Sequence, residues 1–113
     1  MKNIIYITGI LFLSVSCESS TFEGISDNTP ITSVVRYEAD VKPIIENNCL
    51  NCHSSTSFAP LSNYNQVKAN IDNIIDRIQR PAGDPLRMPQ GGSLPQNQIN
   101  IVAKWKADGL IEK

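Results

Sequence analysis

The stretch Cys49-Leu50-Asn51-Cys52-His53 constrains this chain more than any other. Two thiols and an imidazole fall within five residues, so any fold has to turn them toward a shared partner. The C-x-x-C-H spacing is the signature for covalent attachment of a c-type haem. Two thiols on a single turn can each add to one vinyl group of the same porphyrin. The His that follows then falls under the iron and can serve as its proximal ligand. Cys49 and Cys52 are therefore the expected covalent sites, and His53 the expected iron ligand.

Other uses of such a motif fit the rest of the chain less well. A zinc knuckle needs further Cys or His ligands, and His53 is the single His of the sequence. A thioredoxin-like dithiol expects a βαβ context, and no such pattern is present. A plain disulfide between Cys49 and Cys52 would leave His53 idle.

With 113 residues the chain suits one domain with some additional sequence. The formal net charge of −1 gives no polybasic footprint, which excludes nucleic acid as a partner. A domain this small has a marginal core of its own, so a cofactor that completes the interior is expected.

The N-terminus reads as an export signal. Lys2 precedes an apolar run from Ile4 to Leu13, the size of a secretory h-region and too short to span a membrane. Ser14 and Ser16 then lead to Cys17. This resembles a bacterial lipoprotein signal, with Leu13 one position further from the Cys than in the strict lipobox. The expectation is a signal peptide over 1–16, lipidation at Cys17, and a flexible lipid-anchored linker over 17–36. That linker span is rich in Ser, Thr, Asn and Gly and has no helical period. The linker ends at a globular domain over 37–113.

Three helices are predicted there, so the fold class is all-α. In the first, over 37–48, Val41, Ile44 and Ile45 share one face. Asp40 is its expected N-cap, and Pro43 is tolerated in the first turn. The second is the clearest: Val67, Ile71, Ile74, Ile75 and Ile78 repeat with a helical period, and Lys68, Asn70, Asn73, Asp76 and Arg77 lie opposite. The third covers 96–108, with Pro95 at its start and Gly109 at its C-cap. Residues 80–95 hold four prolines and three glycines, which excludes a regular element.

Met88 lies in that irregular loop. A single His rules out two His ligands from one chain, and Met88 is the only Met once the signal is removed. Elimination and context make it the expected sixth ligand, and a soft thioether favours Fe(II). Lys68, Lys104 or an open sixth site are the alternatives.

Tyr37 to His53 resembles the haem-attachment region of bacterial class I cytochrome c domains. Val41-Lys42-Pro43-Ile44-Ile45 is similar to a run found before the first Cys in one branch of that family. Arg87-Met88-Pro89 and Ile101 to Gly109 resemble the branch's Met-Pro loop and closing Trp-x-x-x-Gly helix. The resemblance spans about residues 37–110. It implies a small cytochrome c fold, with three main helices around one haem and the first and last helices crossing. It also implies that the Pro60 carbonyl accepts from the proximal His, a bond that would fix the ring. Trp105 is expected to pack the terminal helices together, with a position near a haem propionate as the other option. Arg77, Arg80 and Arg87 are propionate candidates by charge alone.

The function so implied is electron transfer by one covalent haem c, with no catalysis of its own. The setting is a monomeric domain anchored in the cell envelope, facing redox partner proteins in the periplasm or outside. Two alternatives stand beside it: a haem-based sensor or ligand-binding module with an open sixth site, and an exported dithiol enzyme using Cys49 and Cys52.

Overall fold

A computed structural model describes residues 30–113. A π-helical turn, Tyr37–Val41, runs directly into α1, Lys42–Asn48. Three more helices follow: α2, Tyr64–Ala69; α3, Ile71–Gln79; and α4, Gln96–Ala107. There is no strand among the described residues, so the all-α class holds.

The first helix opens at Tyr37, and its N-cap is Arg36 in an extended conformation, not Asp40. Its free donors are met by the other end of the chain. The Tyr37 and Glu38 N–H groups donate to the Ile111 and Glu112 carbonyls at 2.8 and 3.0 Å. Asp40 acts from inside the first turn, where its carboxylate accepts from the Arg36 N–H at 2.8 Å. That resembles the reciprocal half of a capping box, set one residue further along by the wide turn. Pro43 is the second residue of α1, in its first turn as expected, although the helical run as a whole opens earlier, at Tyr37. The wide turn accommodates it: the Lys42 N–H reaches back five residues to the Tyr37 carbonyl. This loosens the backbone just where a proline ring would press on the carbonyl four residues earlier.

The second helix is two helices. Asn70 ends α2 and begins α3 with φ −105° and ψ 9°. Its side chain donates to the Gln66 carbonyl at 2.9 Å, competing with the helical ladder as Asn does. The break keeps the register, so Val67, Ile71, Ile74 and Ile78 still form one buried stripe. The start of α2 is capped by Asn63, whose side chain accepts from the Gln66 N–H at 3.0 Å.

The core joins these helices. Val41, Ile44 and Ile45 from α1 and its opening turn meet Ile99, Val102 and Trp105 from α4 and the stripe of α2 and α3. Trp105 has no solvent exposure, and its indole N–H donates to the Ile111 carbonyl at 2.9 Å. The rings of Tyr37 and Tyr64 stand 5.6 and 6.1 Å from it. Trp105 thus packs the terminal helices together, and its polar atom is already in use. The helix α4 ends in a Schellman motif. The Leu110 N–H bonds to the Trp105 carbonyl and the Gly109 N–H to that of Lys106, with Gly109 at φ 97°.

Residues 31–36, inside the span expected to be linker, belong to the globule. Val35 is buried, Ile31 packs against the core, and the Val35 N–H donates to the Asp108 carboxylate at 2.8 Å. A composition of Ser, Thr and Val could not reveal a contact made 73 residues away. The signal peptide expected over 1–16 and the lipidation expected at Cys17 fall outside the described residues.

Candidate functional site

Cys49 is the C-cap of α1. Its carbonyl accepts from the N–H groups of both Cys52 and His53, at 3.2 and 2.9 Å. The whole C-x-x-C-H is therefore one compact turn continuing from the helix. The loop after it closes on itself, because the Leu61 N–H returns to the His53 carbonyl at 2.9 Å.

The His53 ring is held by that closure. Its Nδ1 lies 2.7 Å from the carbonyl of Ala59. The acceptor is Ala59 and not Pro60, a correction of one residue with a clear cause. A proline restricts the residue before it to extended conformations, so Pro60 presets the direction of the Ala59 carbonyl. A carbonyl needs a donor here, which makes Nδ1 the protonated nitrogen and leaves the Nε2 lone pair free.

Cys49, Cys52, His53 and Met88 line one cavity of about 770 Å³. Leu61, Ile74, Ile78 and Leu94 give it apolar walls, and Arg77 is the one charged side chain on it. Met88 comes from the irregular loop, and its N–H donates to the Arg77 carbonyl at the end of α3, at 3.1 Å. That bond uses a helix-terminal carbonyl that has no partner within the helix. The chain's single His and its only Met besides Met1 thus share a cavity with both motif cysteines.

The alternative sixth ligands are engaged elsewhere. Lys104 bonds both Asp108 carboxylate oxygens at 2.8 Å. The Lys68 ammonium lies over the Tyr64 ring, 5.4 Å from its centre. Neither lines the cavity.

Cys49 and Cys52 carry free thiols. Burial pushes the Cys49 thiol up. Its place at a helix C-terminus also disfavours a thiolate, because the carbonyl end of the dipole is negative. A nucleophilic dithiol needs the opposite, a lowered pKa of the kind found at helix N-termini.

A haem suits this donor set. The cavity offers two thiols, an imidazole fixed by a backbone carbonyl, and a thioether, on a lining that is largely apolar. Among the described residues no three His, Cys, Asp or Glu side chains converge into a metal-chelating cluster. No helix among them is long and apolar enough to cross a membrane.

Sequence reasoning missed Ala59. The signal was present, since a proline marks the carbonyl before it as well as its own. It also missed the bond between Met88 and Arg77, which no local pattern carries. Comparison of the chain with protein-family models, with curated proteins and with solved structures returned no match.

Proposed function

We propose that the chain is a small cytochrome c-type electron carrier whose cavity holds one haem c. The observation that carries this is the meeting of four residues on one cavity: Cys49, Cys52, His53 and Met88. The two thiols would anchor the group covalently, and His53 Nε2 and Met88 Sδ would ligate its iron. When bound, that iron supplies one-electron exchange between Fe(II) and Fe(III).

The remaining roles belong to the chain. The Ala59 carbonyl fixes the imidazole plane and tautomer and raises its basicity. Ile74, Ile78, Leu61 and Leu94 would give the macrocycle an apolar surface to bury. The backbone bond from Met88 to the end of α3 offers the thioether from a braced loop, so one coordination state can serve both redox states. Export and attachment to a membrane through a lipid on Cys17 are part of the same proposal. They fit the requirement that covalent haem attachment takes place outside the cytoplasm. Redox proteins of the envelope are the proposed partners.

The test is optical spectroscopy of protein matured with a haem-attachment system. A six-coordinate low-spin spectrum that resists CO at neutral pH is expected. Rapid CO binding to the reduced protein would overturn electron transfer in favour of a ligand-binding or sensor module.

A further inference from the structure

The loop that carries Met88 leaves α3 at Arg80, which caps that helix in an extended conformation. Four prolines and three glycines deny residues 80–95 any regular structure of their own. A loop with few contacts opens easily, so what ties it down decides how firmly Met88 is presented. Among the described residues two polar contacts tie it to the end of α3. One is the bond from the Met88 N–H to the Arg77 carbonyl. The other is an ion pair between Arg80 Nη1 and Asp84 Oδ2, at 3.0 Å.

Both members of that pair are engaged twice. The Arg80 guanidinium also bonds Asp76, one turn back on α3, at 3.0 Å. The other oxygen of Asp84, Oδ1, accepts from the Leu86 N–H at 2.8 Å, an Asx turn that fixes the bend of the backbone. The Arg87 N–H then donates to the Asp84 carbonyl at 3.1 Å, and Met88 follows directly. The Asp84 side chain therefore shapes the turn before Met88 and fastens that turn to α3. The Leu86 N–H, and then the Arg80 guanidinium, hold its carboxyl below the usual carboxylate range, so the pair is charged at neutral pH. Met88 lines the cavity, whereas Arg80 and Asp84 do not. An effect of the pair on the site has to pass through the loop.

We propose that Arg80 and Asp84 are positioning residues for Met88: their ion pair holds the loop against α3 and keeps the thioether on the sixth site against competing ligands. The inference rests on the haem reading above. It goes further by assigning the firmness of that ligation to two residues outside the cavity. A soft thioether favours Fe(II), so the hold matters most in the oxidised protein.

The test is a titration of the oxidised, matured protein with imidazole, a competing sixth ligand, followed by the near-infrared Met–Fe(III) band. Amide hydrogen exchange at Met88 reads the loop independently. In Arg80→Gln the imidazole concentration that halves the band should fall about fivefold, the scale of a partly exposed ion pair. The Met88 N–H should exchange faster by a similar factor. Asp84→Asn, which keeps an acceptor for Leu86 and removes the charge, should do the same. The double variant should be no worse than either single one, because the pair is already broken. Asn63→Ala, which weakens α2 elsewhere, should leave imidazole binding at the wild-type value and so separates positioning from general destabilisation. Imidazole binding in Arg80→Gln equal to the wild type, or a shift in Asn63→Ala as large as that in Arg80→Gln, would overturn the assignment. So would strictly additive effects of the two single changes. A wild type without covalent haem, or without the near-infrared band, defeats the underlying reading instead, while exchange at the Met88 amide still tests the pair.

Discussion

Replacing Trp105 separates two contributions that it makes at once. Its indole N–H bonds the Ile111 carbonyl at 2.9 Å, and its ring fills the space between Tyr37 and Tyr64. In Trp105→Phe the hydrogen bond is lost. The Ile111 carbonyl still accepts from the Tyr37 N–H at 2.8 Å, so it is not orphaned. The loss is then about 1 kcal/mol, the net worth of an ordinary bond. The smaller ring leaves a void of roughly 40 Å³, which costs about 1 kcal/mol more. Trp105→Phe should therefore cost about 2 kcal/mol. Trp105→Ala loses the whole side chain and both aromatic pairs, about 5 kcal/mol, close to the entire stability of a small domain. Urea unfolding followed by far-UV circular dichroism measures both, with the midpoint moving at constant slope. The midpoint potential of Trp105→Phe should match that of the wild type, because the indole N–H serves a backbone carbonyl. Equal destabilisation by Phe and Ala would refute the division of roles. A potential shift without loss of stability would refute the placement of the N–H.

Further outcomes follow from other contacts. Met88→Ala should abolish the near-infrared Met–Fe(III) band of the matured protein yet leave it folded, because the loop is anchored through the Met88 backbone; an unchanged spectrum would remove Met88 from the iron. Asn63→Ala should cost about 1 kcal/mol in urea unfolding, and Asn63→Asp should restore most of it, since the side chain caps α2. Bonding from Lys104, and then from the Val35 N–H, holds the Asp108 carboxyl below the usual carboxylate range. The unfolded chain then binds that proton more readily, so the stabilisation is complete above the unfolded value of about 3.9 and is lost as pH falls through the lower folded one. Thermal unfolding across the acid range should show a shallower loss in Asp108→Asn than in the wild type.

How much of this was readable in the sequence depended on whether a feature was local. The stripe of Val67, Ile71, Ile74 and Ile78 was legible because its period survives the break at Asn70. The break was not, because Asn70 is ordinary on an exposed helix face and disrupts the ladder only through its own side chain. The start of the first helix was misread at Asp40 because its donors are capped by residues 111 and 112, at the far end of the chain. Cys49, Cys52 and His53 could be named from the C-x-x-C-H spacing, and Met88 from elimination and its loop context. Their convergence depends on tertiary closures: the Leu61 bond to His53 and the Met88 bond to Arg77. Arg77, Arg80 and Arg87 could not be ranked from sequence, since only Arg77 lines the cavity and that is an outcome of the tertiary fold.

The account stands on covalent attachment at the C-x-x-C-H turn. Protein matured with a haem-attachment system, digested and weighed by mass spectrometry, tests this directly. The account predicts a single haem mass on the peptide containing Cys49 and Cys52, with neither thiol open to alkylation. A peptide of unmodified mass, with both thiols alkylated or joined as a disulfide, would contradict it.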